Sequence, residues 1–444
     1  VTRVARLPRD PGPAAWNRLL PPAPPARVLE KNITADWLVI GAGFAGLAAA
    51  RRLAQLRPGD RIVLLDATRI GEGPAGRNSG FMIDLPHRLT SEDYASATAE
   101  DRDRIELNRA AIAFAADAAR EYGLPAEAFA VAGKINGAAT ARGMAANRSY
   151  AAHLARLGEA HEVLDARAMR EITGSAYYLG GLRTPGAAML QPAMFVRGVA
   201  TGLAGVVDIF EDGPVTAFAR AGSDWRAVTP KGRVTAPRVI LAVNGHAESF
   251  GYFVRRLVHV HLYASMTRAL SEDEISRLGG EARWGITPSD PMGSTVRKIS
   301  GTGGTRIVVR NRVTYDPGMS GAERRLPVKG RSHRKAFAAR FPELGSVEME
   351  YCWGGRLCLS LNAMPAFGEV AEGVVSACCQ NGLGTTQGTI AGMLAADMAA
   401  QGHAPLLPLM LAGKGPSPLP PAPLDWIGAV AAMKWKEWRA GREV

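Results

Sequence analysis

The sequence predicts an α/β (α+β) chain in which a parallel-sheet domain is interleaved with a second domain built on a mixed or antiparallel sheet. Three observations predict it. A strand, a glycine-rich turn, a helix and a second strand follow one another without interruption at DWLVI-GAGFAG-LAAARRLAQL-RPGD-RIVLLD, residues 36–66. Two later buried runs, RVILAVNG (238–245) and GVVSACCQ (373–380), have the same continuous apolar character, and the second leads into a helix, GTTQGTIAGMLAADMAAQG (384–402). Between them the rhythm changes: HVHLYASMTRAL (259–270) and TRIVVRNRVTY (305–315) alternate as strands with two different faces.

Taken in order, residues 1–30 are rich in proline and lack the apolar centre of a secretory signal, so they read as an extended arm. Residues 31–85, 186–250 and 350–412 are assigned to the nucleotide-binding domain. Residues 86–185, which read as mostly helical, and 251–349 form the second domain. DRDRIELNRAAIAFAADAAREYG has apolar positions at helical spacing and stops at Gly123. Residues 413–444 are a proline-rich link and a terminal helix, LDWIGAVAAMKWKEWRAG. Trp426, Ile427, Val430 and Trp438 share a broad face of that helix, with Lys434, Lys436 and Arg439 nearby, a pattern open to packing on its own domain or to lying on a bilayer.

Composition narrows the function. Lys and Arg number 53 against 41 Asp and Glu, a net charge of +12 over 444 residues, but the positive residues are scattered and no nucleic-acid motif is present. An acidic substrate, an anionic cofactor or a loose membrane contact accounts for the excess as well. No apolar run is long enough for an integral span. The four cysteines, Cys352, Cys358, Cys378 and Cys379, contain no CxxC pair, which argues against a disulfide framework and against a metal site. A reducing, cytoplasmic setting is expected. Nothing fixes an oligomeric state.

GAGFAG supplies Gly41, Gly43 and Gly46 in the G-x-G-x-x-G spacing, with Phe44 and Ala45 opening the helix. The first glycine permits the tight turn, the second lets backbone approach a pyrophosphate, and the third lets helix lie close to strand. The helix N-terminus would hold the anion through free N–H groups. Asp66, twenty residues past Gly46 and followed by Ala67, ends the next strand, where a carboxylate would accept hydrogen bonds from a ribose diol. GEGPAGRNSGF (71–81) then gathers Gly76, Arg77, Asn78 and Ser79 in a loop too polar to bury much surface and suited to close backbone approach.

These segments, with QPAMFVRGVA (191–200), ILAVNGH (240–246), WGGRLCLSLNAMPAFG (353–368) and NGLGTTQGTIAGMLAADMA (381–399) in order, resemble the FAD-dependent D-amino acid oxidase and sarcosine oxidase superfamily. The gamma-glutamylputrescine oxidase-like branch, whose second loop typically reads ASGRNGG, is the nearest in flavour. The resemblance spans roughly residues 10–440 and implies bound FAD, a small-molecule amine or amino-acid substrate, and dioxygen as electron acceptor. It places loop 71–81 along the FAD pyrophosphate and flavin, with Arg77 near phosphate or substrate. It places Val215, Ala242 and Asn244 at the adenosine, and Gly382, Gly384, Thr385 and Thr386 at the pyrimidine end of the flavin, where a helix N-terminus stabilises the reduced anion.

Flavin amine oxidation demands a positioned C–H bond and a neutral amine rather than a strong side-chain base. Candidate substrate-site residues are therefore cavity-lining groups. Arg297 stands where relatives often have an aromatic–Arg step and is a candidate clamp for a substrate carboxylate, the alternative being a structural ion pair. His259, His261 and Tyr263 share one strand face and line either the cavity or a polar cluster of the sheet. Trp353 walls the flavin or belongs to the core. Cys358 lies a few residues from the position at which some sarcosine oxidases attach flavin. Ser79 and Asn362 depart from the branch's usual Gly and Asp. A quinone-linked dehydrogenase and a non-catalytic flavin-fold assembly protein are the competing readings.

Overall fold

The computed structural model describes residues 2–10, 12–86, 98–320 and 323–444 and confirms the mixed α/β class. A six-stranded sheet is ordered Asp208–Phe210, Ile62–Leu65, Trp37–Ile40, Arg238–Leu241, Val374–Cys378, Ala366–Ala371; every pairing is parallel except the last. Its central strands are buried on both faces, which is why they read as continuous apolar runs. The helices Phe44–Leu56 and Thr386–Ala399 cross on it so closely that a Cβ on Gly392 would stand 1.9 Å from the Ala45 carbonyl oxygen.

The second large sheet has eight strands, ordered Met349–Leu359, Val258–Thr267, Arg306–Tyr315, Thr295–Ile299, Trp284–Pro288, Lys134–Ala138, Gly180–Thr184, Glu162–Asp165. Its first strand crosses the boundary drawn at residue 350. Three of its strands come from the segment read as mostly helical. That reading holds for Thr98–Glu121, Ala141–Leu157 and Ala166–Thr173 but is corrected by the strands between them. Lys134–Ala138 (KINGA) has no strand rhythm of its own, and its strand state comes from pairing with Trp284–Pro288 and Gly180–Thr184. Residues 87–97 of that segment lie outside the described residues.

Register assigns the faces of this sheet. Val260, Leu262, Ala264 and Met266 alternate with His259, His261, Tyr263 and Ser265 along one strand and pair regularly with Leu357, Gly355, Trp353 and Tyr351. On the other side a bulge at Arg312 (φ +66°) lets Leu262 face Val313 while Ala264 faces Arg310. The Ser265 face packs on the helix Leu326–Arg340, where the Ser265 hydroxyl meets His333 Nδ1 at 2.8 Å. The Ala264 face meets the N-terminal arm and loop 71–81 at one end and the helix Leu424–Ala440 at the other.

The N-terminal arm is extended over much of its length but, against the expectation, turns into a short helix at Ala15–Arg18. Its Thr2–Arg3 strand pairs with Ala217–Ala221, and the Trp16 indole donates to the Asn78 carbonyl oxygen at 2.9 Å. The terminal helix is held by the Arg312–Glu437 ion pair at 3.4 Å. It turns Ile427, Trp435 and Trp438 outward while Gly428, Ala429 and Ala432 face the sheet. No helix among the described residues is long and apolar enough to cross a membrane.

Candidate active site

The glycines of the first loops divide by what a side chain on each would strike. A Cβ on Gly46 would stand 1.7 Å from the Gly41 carbonyl oxygen, and one on Gly76 1.8 Å from the Gly71 carbonyl oxygen, so these two serve the chain's own packing. Gly41, at φ +100°, belongs with them: its Cβ would lie 2.6 Å from the Ala242 carbonyl oxygen. On Gly43 the nearest atom would be the Ala75 Cβ at 3.6 Å, and on Gly384 nothing lies within 4 Å. Both line one continuous groove. The space their missing side chains leave belongs to the groove, as a cradle for a bound dinucleotide requires.

Helix ends serve the same groove. Gly43 and Thr385, the N-caps of Phe44–Leu56 and Thr386–Ala399, offer no side-chain cap; first-turn N–H groups of the first helix stay available to an anion, whereas in the second the Gln387 and Gly388 amides already donate to the Leu383 and Gly384 carbonyl oxygens. Of the two threonines, Thr385 lines the groove and Thr386 does not, and both hydroxyls bond to the chain itself. Thr385 Oγ1 donates to the Phe81 carbonyl oxygen, and Thr386 Oγ1 accepts from the Ile83 amide at 2.9 Å; together they dock residues 81–83 on the helix start. Asp66 lines the groove and accepts from the Ala42 amide at 2.7 Å and the Thr68 amide at 2.9 Å. Burial pushes its carboxyl up to about 6 against those hydrogen bonds. Val215, Ala67, Ala242, Asn244, Asn78, Ser79, Phe44, Ala45 and Gly382 complete the expected lining.

Residues of the arm line the groove too, a contribution that no motif announces. Val4, Arg6, Leu7, Pro8 and Asp10 all face it. Both carboxylate oxygens of Asp10 are buried and accept no hydrogen bond among the described residues, with Arg356 Nε 3.7 Å from Oδ1; such acceptors suit the hydroxyl-rich part of a flavin nucleotide. Burial raises the Asp10 carboxyl, while Arg77 and Arg356 pull it down.

Beyond the groove, and sharing Val260 and Leu357 with it, lies a cavity of about 440 Å³ under the terminal helix. Its walls are chiefly apolar: Val258, Leu262, Val313, Leu359, Ala432 and Met433. Arg310 reaches the same cavity and makes no hydrogen bond or ion pair among the described residues; burial alone lowers its guanidinium to about 10.

Five expected positions fall elsewhere. Arg77 lies outside the groove lining. Its Nε donates to the Glu72 carbonyl oxygen at 2.6 Å, Nη1 to that of Gly354 at 3.1 Å and Nη2 to that of Gly12, bracing loop, arm and sheet. Arg297 Nη1 donates to the carbonyl oxygens of Ser79 (2.7 Å), Leu190 (2.9 Å) and Gly80 (3.1 Å), and its guanidinium lies between the rings of Trp16 and Phe81. It fixes the loop and lines neither the groove nor the cavity beyond it. Trp353 donates to the Arg77 carbonyl oxygen at 3.1 Å and meets Trp16 edge-on. His261 is fully buried, with neither ring nitrogen hydrogen-bonded among the described residues, and Tyr263 donates to Thr314 Oγ1 at 3.1 Å. Both sit on the face opposite the cavity. His259 does line the groove, bound to Glu248 at 2.7 Å. Cys358 lines it as well, its thiol raised by Cys379 and by burial. Of the two departures, Ser79 lines the groove, whereas Asn362 donates to the Gly415 carbonyl oxygen at 2.8 Å and ties down the link.

Comparison with known proteins agrees with this geometry. The family described as FAD dependent oxidoreductase matches residues 36–398. A probable oxidoreductase OrdL of Rhizobium meliloti is 26% identical over 407 residues, covering 88% of this chain and 89% of that protein. The gamma-glutamylputrescine oxidoreductase of Escherichia coli is 26% identical over 381 residues, covering 84% and 85%. Among solved structures, glycine oxidase from Geobacillus kaustophilus shares the fold with a TM-score of 0.69 at 18% identity, over 85% of this chain and 98% of that one. Fold, groove and sequence kinship converge: the chain belongs to the DAO family of FAD-dependent oxidoreductases.

Proposed function

We propose that the chain oxidises the C–N bond of a small amine or amino acid to an imine, with dioxygen taking the electrons from reduced FAD. The observation that carries the reading is that Val260 and Leu357 line both the groove and the cavity, which sets the two side by side. A substrate in that cavity would present its reacting end to a cofactor seated in the groove, with water displaced by the apolar walls. The FAD, when bound, supplies the hydride acceptor. Gly43, Gly384 and the two helix starts would hold it, and Asp66 would take its ribose hydroxyls. The solved relatives named glycine oxidase and iminodiacetate oxidase favour oxygen as the acceptor.

An anaerobic screen of amines and of D- and L-amino acids, followed by loss of the oxidised flavin band, tests the half-reaction. At least one class is expected to bleach the flavin, and air is expected to restore it with hydrogen peroxide released. Bleaching reversed only by a quinone would replace the oxidase with a dehydrogenase. A flavin that no amine reduces would overturn the reading in favour of a binding protein.

A further inference from the structure

We propose that the outward face of the terminal helix Leu424–Ala440 docks the protein on a lipid surface that carries anionic headgroups. The proposal concerns where the protein sits and is independent of its amine chemistry.

The helix presents one apolar stripe to solvent. Leu424, Ile427, Ala431, Trp435 and Trp438 follow at steps of three, four, four and three residues, the spacing of a single helix face. All five are exposed, Trp438 to 79% and Leu424 to 61%. Apolar residues scattered singly over a surface are ordinary, but a row that includes two tryptophans marks a contact surface. Lys434 and Arg439 flank the stripe on its two sides and are exposed as well. The Arg439 guanidinium lies 5.0 Å from the Trp435 ring.

The side-chain carboxylates of residues 424–444 are all turned the other way. Asp425 lies 3.8 Å from Arg255, Glu437 lies 3.4 Å from Arg312, and Glu443 accepts from the Ala139 and Thr140 amides at 2.9 Å each. The outward face is therefore apolar and cationic, without an acid. A bilayer with anionic headgroups matches both properties. Indole rings settle at the headgroup boundary, the aliphatic side chains enter below it, and the flanking cations pair with phosphates. A second copy of the chain matches less well, because a two-fold pairing of this face brings Lys434 and Arg439 of each copy together on chains that both carry +12.

The distribution of the eight tryptophans makes the test local. Trp16, Trp37, Trp225, Trp284 and Trp353 are at most 9% exposed, and the remaining three, Trp426, Trp435 and Trp438, all lie on this helix. The flavin-loaded protein is mixed with vesicles of phosphatidylcholine alone, or of phosphatidylcholine and phosphatidylglycerol in equal parts, and binding is read by co-sedimentation. Binding to the mixed vesicles is expected to be about tenfold or more the stronger, and to weaken with added salt. Mixed vesicles with brominated acyl chains are expected to quench tryptophan fluorescence relative to unbrominated ones. Ile427→Ser with Trp438→Ser, and separately Lys434→Gln with Arg439→Gln, are each expected to lower vesicle binding about tenfold or more at unchanged flavin content. No binding to the mixed vesicles, equal binding to the two kinds, or binding without quenching overturns the proposal, and none of these outcomes depends on a variant that folds. Unchanged vesicle binding by either folded variant also overturns it. A concentration-dependent dimer abolished by the same substitutions would overturn it in favour of a second copy on this face.

Discussion

The groove and the cavity that adjoins it are built from different materials. The groove is made by short consecutive stretches, residues 41–45, 66–69 and 78–81, that present backbone, helix starts and absent side chains. The cavity is made by single side chains collected from strands around 260, 310 and 357 and from a helix near 430. A ligand common to a whole family is met by main chain, which substitution hardly alters. A ligand particular to one member is met by side chains, each free to change. The comparison predicts that damage to the groove acts on cofactor retention and damage to the cavity on substrate.

The largest expected effects come from the glycines, and they separate packing from binding inside the groove. Gly46→Ala drives a methyl into the Gly41 carbonyl oxygen, and insoluble protein is expected. Gly43→Val should instead give folded, colourless protein, because its branches occupy groove space alone. Circular dichroism and flavin absorbance on the purified proteins check both. A flavin-loaded Gly43→Val would break the distinction.

Arg297 sharpens the boundary from the other side. It ties three carbonyls between loop and sheet and faces neither the groove nor the cavity, so Arg297→Ala should cost about 1.5–3 kcal/mol of stability. Flavin should be held more weakly while the Michaelis constant of a carboxylate-bearing amine stays within about twofold of wild type, given how little uncontacted sites couple to binding. Thermal unfolding and steady-state kinetics decide it. A selective rise in that constant would return Arg297 to the substrate site.

The smallest effect is in pH. Asp66 titrates near 6 in the folded chain against an ordinary value of 3.8, so the folded state holds the extra proton between those values. Its contribution to apoprotein stability is present below about 4 and is lost as pH rises through about 6. Ribose binding runs the opposite way, since the ionised carboxylate is the better acceptor. From pH 7 to 5 wild type should lose FAD affinity by about tenfold as its apoprotein melting point rises relative to Asp66→Asn. Flavin fluorescence and thermal melts across pH give both signs. Identical profiles for the two proteins would remove Asp66 from the ribose site.

Much of the groove was legible because its determinants are local. A strand, GAGFAG, a helix and a following Asp66 are contiguous in the chain, and each residue type there has one dominant physical use. The cavity was not legible for a geometric reason. Alternation correctly put His259, His261 and Tyr263 on one face, but a period of two cannot say which face looks at the cofactor. The helix Leu326–Arg340 covers the side where His261 and Tyr263 pack. Arg297 and Arg310 sit in similar strands, VRKI and VRNR, and only the partners brought by distant residues distinguish a brace from an unpaired charge. Arg77 fell to the same ambiguity: a polar glycine loop signals a ligand, yet its arginine serves the chain's own carbonyls.

The N-terminal arm changes how a cofactor must come and go. Residues 2–10 lie along the groove, pinned by pairing at Phe218 and Ala217, by Arg356 at the Arg9 carbonyl, and by Arg77 at Gly12. A nucleotide bound there would be flanked by the arm, and opening of the arm would ease its release. Retention then becomes a property of a local opening equilibrium, with a rate set by backbone pairing at the edge of a small sheet. Affinity for a bound nucleotide would then be set by the groove, and its lifetime in part by the arm.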